Sequence, residues 1–343
     1  MMRTLQPWLF IVPPGRAGKV SMKLQLEQER IVLVLAIALF AVFCFTVPKF
    51  ATAQNILILV RDVSVLGILA LGMAVVVIGR GVDLSMVATM AISVAWIFQL
   101  TNQGWAVPSA VAAGFAFALG MSLITGFLIA YVEVPALFGT LAMGTFIYGI
   151  GKSQLVPTDA IYMPANFGAL ASIGSGSVLG IPAAVLLLVV FCGAVSLLLT
   201  RTKVGRFFYA IGDNQQASRI AGIPVRPTLM LQYLISGFVA VAAGLILATS
   251  VAAMNTRIVN STLIYDIILV VVLGGVGLSG GRGRVRNVIV GTLFIGTLVN
   301  GMTILDIPYT VQNIIKSLIL LGAIVADGFI NPRDEQTAQQ GDI

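Results

Sequence analysis

The chain contains no histidine and has few charged residues. Of its 343 residues, 10% are charged and 58% are hydrophobic, and its mean hydropathy is +1.02. The absence of histidine removes the commonest metal ligand and the side chain that titrates near neutral pH, which argues against a zinc enzyme or a histidine proton relay. The two cysteines, Cys44 and Cys192, lie inside apolar segments, where a thiol acts as a small hydrophobe. We therefore expect no disulfide.

Two long stretches of the sequence contain no charged residue. No Asp, Glu, Lys or Arg occurs between Asp83 and Glu133, or between Asp159 and Arg201. Because about 20 apolar residues cross a bilayer as a helix, each stretch holds more than one crossing. The pattern predicts an all-α, polytopic integral membrane protein with about ten transmembrane helices. The predicted crossings are 31–47, 54–79, 85–101, 107–131, 134–153, 181–199, 229–250, 263–278, 288–303 and 310–328.

The basic residues are distributed unevenly between the two sides of these crossings. With a cytoplasmic N-terminus, the inner segments hold fifteen of the 20 Lys and Arg residues. Cytoplasmic loops are enriched in Lys and Arg, so both the N-terminus and the C-terminus are predicted to be cytoplasmic. The chain then divides into an N-terminal tail (1–30), a transmembrane domain (31–328) and a C-terminal tail (329–343). We attribute the net charge of +7 to basic residues that set the orientation of the crossings and contact anionic membrane lipid, and not to nucleic-acid binding.

The polar segment 201–226 interrupts the apolar sequence and is basic. Asp213 and Asn214 are good helix N-caps, and Gly222 with Pro224 marks a stop, so a helix of about two turns is predicted between them. So short a helix needs a surface to pack against. It is either a docking helix for a cytoplasmic partner or a loop that folds back on the membrane surface. The candidate docking residues are Gly212, Asp213, Asn214, Gln215, Gln216, Ala217, Arg219 and Gly222.

Two glycine-containing turns are predicted at the inner ends of crossings. One is GRGVDLS (79–85), and the other lies within LGGVGLSGGRGRV (273–285). GVDLS in the first turn is similar to GVGLS in the second, which hints at an internal duplication. A match over five residues is too short to establish one. The second turn lacks the Lys-Ser/Thr ending of a phosphate-binding loop, so no ATPase site is predicted in this chain. Asp83 is predicted to cap the helix that follows it. The candidate turn residues are Gly81, Asp83, Ser85, Gly274, Gly275, Gly280, Gly281 and Gly283.

Polar residues also occur inside the predicted crossings. Arg61, Asp62, Asp266 and Lys316 share a depth near the outer side, so we expect them to pair with one another instead of coupling transport to an ion. Uncharged polar and aromatic groups suit a path for a neutral hydroxylated solute, and they equally suit hydrogen bonding between helices. The candidate path residues are Asn55, Ser93, Trp96, Gln99, Asn300, Gln312 and Asn313.

The outer loop 154–182 is rich in Pro, Gly and Ser. This composition indicates turns and a short helix at the surface. The loop is either a landing surface for a soluble partner or a passive cap over the crossings.

Three segments together resemble the permease subunits of monosaccharide ABC importers, the group that serves ribose, xylose, galactose and arabinose. They are GVDLS, GRFFYAIGDNQQASRIAGI and VVLGGVGLSGGRGRV, and the resemblance covers residues 31–328. It implies a ten-helix permease in the bacterial inner membrane that pairs with a second permease. It also implies a cytoplasmic ABC ATPase on the helix around 214–222, a periplasmic solute-binding protein, and no cofactor.

The chain departs from the family pattern at two places. Gln215, Gln216 and Ala217 stand where members often have Glu followed by two alanines, and Arg80 replaces a glycine. The predicted function is therefore a transport subunit without catalytic residues, for a monosaccharide or a similar hydroxylated solute. A branched-chain amino acid or a sugar-like signal remains an alternative cargo. A secondary transporter that needs no ATPase is a further alternative, whereas a membrane enzyme is disfavoured by the missing histidine and paired carboxylates.

Overall fold

The computed structural model describes residues 17–330 and is dominated by helices, which confirms the predicted fold class. A helix coincides with each of the ten predicted crossings. Seven of these helices are long and apolar enough to cross a membrane, and α3, α5 and α11 are shorter. The ten are α1 (Ala17–Thr46), α2 (Ala53–Ile78), α3 (Met86–Asn102), α4 (Val107–Ala130), α5 (Ala136–Ile150), α7 (Ala183–Arg201), α10 (Val225–Ser250), α11 (Leu263–Gly274), α12 (Val285–Ile304) and α13 (Tyr309–Ile330). The count of crossings and the side on which each terminus lies stay predictions.

Shorter elements lie between these helices. They are a π-helical turn (Gly151–Leu155), β1 (Ala160–Tyr162), a 3₁₀ turn (Gly168–Ala171), α6 (Ser172–Ser175), β2 (Ser177–Val178), β3 (Ile181–Pro182), α8 (Lys203–Asp213), α9 (Gln215–Ile220), β4 (Ala253–Asn255) and a second 3₁₀ turn (Thr256–Asn260). β1 pairs antiparallel with β4, with Ile161 opposite Met254, and β2 pairs with β3. The short helix predicted in the outer loop is confirmed by α6.

Helices α2, α3 and α10 form the centre of the molecule. Most of their side chains are buried, and a helix that is apolar all round must be surrounded by other elements. Glycine allows close approach within this centre: Gly72 lies against Val239, and Gly244 against Met90. By contrast, α1, α7 and α13 leave long apolar faces exposed, as helices in contact with lipid do.

Some boundaries differ from the prediction for identifiable reasons. Helix α1 begins at Ala17, before the predicted crossing. Helix α11 ends at Gly274 instead of reaching 278, although the sequence stays apolar, because Gly275 adopts φ 94° and its N–H bonds back to the carbonyls of Val271 and Val272.

Consecutive long helices run in opposite directions, so their connections gather at two ends. The turn 79–85, the segment 202–224 and the loop 275–284 lie together at one end, here called the basic end. The pairing of β1 with β4 lies at the opposite end. The tails 1–16 and 331–343 fall outside the described residues.

The predicted pairing of charges inside the crossings is confirmed in part. Lys316 Nζ lies 2.8 Å from Asp266 Oδ1 and donates to Thr262 Oγ1 at 3.0 Å. Arg61 does not join this ion pair: it donates to the Ser175 carbonyl at 3.2 Å, and its charge interacts with that of the neighbouring Asp62. Arg61 lies on α2 and faces α6, whereas the ion pair joins α11 and α13.

Asp159 holds the strand pair at the opposite end, and this contact is pH dependent. Its carboxylate lies 2.9 Å from Lys152 Nζ and 2.7 Å from Arg257. The hydrogen bond from Lys152 lowers the pKa of Asp159 below its ordinary value of 3.8, although partial desolvation opposes the shift. A lowered folded-state pKa gives stability that is present above the ordinary value and is lost as the pH falls through the folded value.

We predict that Asp159→Asn accelerates amide exchange in β1 and β4 at neutral pH, because it removes the charge that both cations face. In the parent protein the same acceleration is expected only as the pH falls below 3.8. Hydrogen–deuterium exchange measures both effects. Asp306→Asn is the control, since Asp306 makes no ion pair among the described residues. Equal protection in the Asp159 and Asp306 variants would contradict the assignment.

Candidate functional site

Two short helices form the segment between α7 and α10. Thr202 begins α8, where its Oγ1 accepts from the Gly205 N–H at 3.0 Å. Asn214 begins α9, where its Oδ1 accepts from the Ala217 N–H at 2.9 Å. Gly222, with φ 78°, ends this unit. The predicted short helix is thus confirmed, and Asn214, not Asp213, is its N-cap.

Helix α8 was missed by the sequence reasoning. It buries Phe208 and Ile211 while Arg206 stays exposed. The signal was present in the sequence as an N-capping Thr202 followed by apolar residues at helical spacing.

Helix α9 presents an exposed outer face and a buried inner one. Gln216, Ala217 and Arg219 are exposed, and Ile220 is 89% exposed, whereas Ser218 is buried. Arg219 lies 3.6 Å from Glu133, which is also 3.2 Å from Arg226. These pairs are exposed to solvent, and such pairs contribute little stability. The outer face of α9 is therefore a surface on which another protein can pack.

The two glycine-containing turns meet the α8–α9 segment at one point. The Gly281 N–H donates to the Ile78 carbonyl at the end of α2, at 2.8 Å. Gly212, at the end of α8, lies against the same carbonyl and against the Gly281 nitrogen, so a Cβ on Gly212 would collide with both. Three segments that are far apart in sequence thus form one junction, here called the glycine junction (Ile78, Gly212 and Gly281).

The turn 79–85 differs from the prediction at Asp83. Ser85, not Asp83, occupies the N-cap position of α3. Asp83 Oδ1 accepts from the Ser85 N–H at 3.1 Å and from Ser85 Oγ at 2.6 Å, and Oδ2 accepts from Ser236 Oγ on α10 at 2.6 Å. Asp83 is 2% exposed, so its carboxylate is a buried acceptor that joins two elements. Local sequence could reveal the bonds to Ser85 but not the bond to Ser236.

Arg80 stands in this turn at the position where the family pattern has a glycine. It adopts φ 72°, a conformation that costs a non-glycine residue free energy. Gly81 lies beneath the Tyr233 ring, and an added Cβ would be 2.6 Å from its hydroxyl oxygen. The Tyr233 hydroxyl has no hydrogen-bond partner among the described residues.

The loop 275–284 has the backbone conformation that its glycines predict. Gly275, Gly280, Gly281 and Gly283 all have positive φ. Asn287 Nδ2 donates to the Gly274 carbonyl at 2.9 Å, and Tyr209 donates to the Gly283 carbonyl at 2.7 Å. Burial raises the pKa of Tyr209, which keeps the hydroxyl protonated as a donor.

The candidate path residues are scattered over several helices. Asn55 and Asn300 exchange amide hydrogen bonds of 3.0 and 3.1 Å. Trp96 packs edge-on against Phe117, while Ser93 is fully buried and Gln99 half-buried on the same helix, α3.

Two further candidates lie on α13. Gln312 Nε2 donates to the Ile307 carbonyl at 2.9 Å, and Asn313 Oδ1 accepts from Thr262 Oγ1 at 3.3 Å. Most of these contacts join helices, and no described cavity brings the seven residues together. The path assignment stays a prediction.

Comparisons with known proteins agree with this arrangement. Residues 55–324 match the family model of the branched-chain amino acid transport system permease component. The chain is 32% identical to the ribose import permease protein RbsC of Haemophilus influenzae, over 88% of this chain and 93% of the relative. It is 32% identical to the L-arabinose transport system permease protein AraH of Escherichia coli, over 87% and 89%. It is 33% identical to RbsC of Bacillus subtilis, over 82% and 86%. No solved structure matches the chain.

We predict that Gly212→Ala destabilises the protein, by about 1–3 kcal/mol, because the added methyl group must displace two backbone segments. Thermal unfolding in detergent measures the change. Gly193→Ala on α7 is the matched control, since nothing lies within 4 Å of its Cβ position and alanine favours a helix. If both variants melt at the parent temperature, the glycine junction is not a close contact.

Proposed function

We propose a role in solute import for this chain, which belongs to the family of branched-chain amino acid transport permease components and is a multi-pass protein of the bacterial inner membrane. It is the membrane-spanning subunit of an ATP-driven importer for a monosaccharide or a similar small hydroxylated solute. In this proposal a cytoplasmic ABC ATPase binds the basic end, a second permease subunit completes the path, and a solute-binding protein delivers cargo to the opposite end. ATP hydrolysis belongs to the partner.

The observation that carries the proposal is the exposed outer face of α9. Ile220, which is 89% exposed, lies on this face together with the exposed Gln216, Ala217 and Arg219, at the basic end of the molecule. The helix is capped at both ends, and Ser218 on its inner face is buried. A pre-formed, apolar-tipped helix of this kind suits insertion into a groove of a partner.

Movement of α9 has a direct route to the centre of the bundle. Helix α9 is followed by a turn that ends at Gly222, and helix α10 begins three residues later, at Val225. On α10, Gln232 Nε2 donates to the Val75 carbonyl at 3.1 Å, and Ser236 donates to Asp83. A displacement of α9 by the ATPase is thus transmitted through α10 to the turn 79–85, from which α3 begins.

The opposite end is proposed to receive the solute-binding protein. Leu179, at the tip of the β2–β3 hairpin, is 98% exposed, and Tyr162 on β1 is 75% exposed. The names of the relatives favour ribose or arabinose as the class of cargo over an amino acid. A secondary transporter would leave the exposed face of α9 without a role.

We predict that Ile220→Asp and Ala217→Glu abolish co-purification of the ATPase while the permease stays folded, because each places a carboxylate on the docking face. The permease and the neighbouring ATPase gene are co-expressed, and the ATPase that stays bound is measured. Leu179→Asp is the control, since it introduces the same charge at an equally exposed residue of the opposite end. Unchanged association in both α9 variants, or solute uptake in proteoliposomes without any ATPase, would refute the proposal.

The route through α10 gives a second prediction. Ser236→Ala and Ser85→Ala each remove one 2.6 Å hydroxyl bond to Asp83, but only the first crosses to α10. We expect Ser236→Ala to keep the ATPase bound and to lower solute uptake per ATP hydrolysed by about tenfold, the order expected for losing a bond to a buried charge. Ser85→Ala is expected to retain coupling. Equal effects of the two variants on uptake per ATP would show that the bond to α10 transmits nothing.

A further inference from the structure

A cavity of about 400 Å³ lies at the basic end, beside the glycine junction and distinct from the outer face of α9. It is an open cavity bordered by the first residues of α12, the end of α7, α8 and α1. Its lining includes Arg282, Arg284, Arg286, Tyr209, Thr200 and Glu29. None of these residues is a candidate docking or path residue.

Basic side chains outnumber acidic ones in the described lining of the cavity. Three arginines and one carboxylate line it, and that carboxylate, Glu29, is paired with Arg286 at 2.9 Å. Arg282 also has an interaction of its own, so the charge that is left for a ligand is that of Arg284. Arg284 is exposed and makes no ion pair among the described residues. It is also the N-cap residue of the 20-residue helix α12, which has no side-chain cap there, so the positive end of the helix dipole adds to the arginine charges.

The walls of the cavity continue into apolar surface that faces lipid. On α1, Leu33 and Ile37 follow Glu29 at four-residue spacing and are 36% and 61% exposed. On α7, Leu197 and Val190 precede Thr200 at helical spacing and are 61% and 63% exposed. Both helices expose most of their apolar surface. A ligand that fits both regions has an anionic head in the cavity and hydrocarbon chains along α1 and α7.

We infer that this cavity binds the phosphate headgroup of an anionic phospholipid, with Arg284 and its neighbouring arginines holding the charge and α1 and α7 holding the acyl chains. The Tyr209 hydroxyl donates to the Gly283 carbonyl and so fixes the loop that carries Arg282 and Arg284. A bound phosphate would contact the same loop. The lipid would thereby stabilise the loop 275–284 against the end of α2.

The test uses the full-length permease in detergent, titrated with dioleoylphosphatidylglycerol, with dioleoylphosphatidylcholine or with inorganic phosphate. Thermal stability and native mass spectrometry give the affinity of each. The parent protein is expected to bind phosphatidylglycerol saturably and more tightly than phosphatidylcholine. Arg284→Gln is expected to weaken this binding about fivefold, the usual contribution of one arginine at a membrane surface.

Matched variants separate a built site from general attraction. Arg206→Gln removes the same charge from an exposed residue of α8 that is absent from the cavity lining, and should leave binding unchanged. Thr200→Trp places a large side chain in the cavity without changing the charge and should displace the lipid. Because Thr200 is exposed, we expect this variant to fold, so it tests the site even if Arg284→Gln fails to fold.

Three outcomes would overturn the inference. They are equal affinity for the two lipids, equal loss in the Arg206 and Arg284 variants, and full stabilisation by inorganic phosphate alone. Each would assign the cavity to unspecific or free-anion binding. No ATPase is present in the titrations, so their result is independent of the proposed function.

Discussion

The arrangement of the basic end depends on one backbone acceptor, the carbonyl oxygen of Ile78. The last carbonyls of a helix have no partner within that helix, and at the edge of a membrane water satisfies them only in part. Here the donor is the Gly281 N–H, from a loop about two hundred residues away in sequence. Gly212 must approach the same carbonyl without a Cβ, so the end of α2 fixes α8 and the loop 275–284 together.

Helix α10 extends this constraint from the surface into the bundle. Its first turn follows the docking segment, and two turns later Gln232, Tyr233 and Ser236 contact the end of α2 and the turn 79–85. Packed interiors do not deform continuously, so a shift at one end of a rigid helix reappears at its other contacts. The bond between Ser236 and the buried carboxylate of Asp83 is costly to break unless another donor replaces it. Under the proposed function, a force applied at α9 is transmitted to α3 through α10 and this bond.

The predictions that agree with the structure are those that rest on apolar length and on local side-chain chemistry. Apolar length located the seven long helices and the three shorter ones among the described residues, and the capping of α9 by Asn214 with a stop at Gly222 followed from side-chain chemistry. The resemblance also predicted the family correctly. Contacts between distant segments could not be derived, because nothing in one sequence links Asp83 to Ser236 or Gly212 to Ile78. The assignment of Asp83 to the helix cap was wrong because α3 begins at Met86, with Ser85 at the N-cap position, although Asp83 still accepts from the Ser85 N–H.

In the loop 275–284, glycines that allow close contact stand beside arginines. Gly281 lies against the end of α2, where there is no space for a side chain, whereas Arg282 and Arg284, with Arg286 of α12, line the cavity beside α1 and α7. If the cavity holds a lipid and α9 holds an ATPase, as proposed, the lipid acts on the glycine junction through the loop and the ATPase through α8. The two binding energies would then be coupled through the position of the Ile78 carbonyl, and by linkage each ligand would alter the affinity of the other by the same factor.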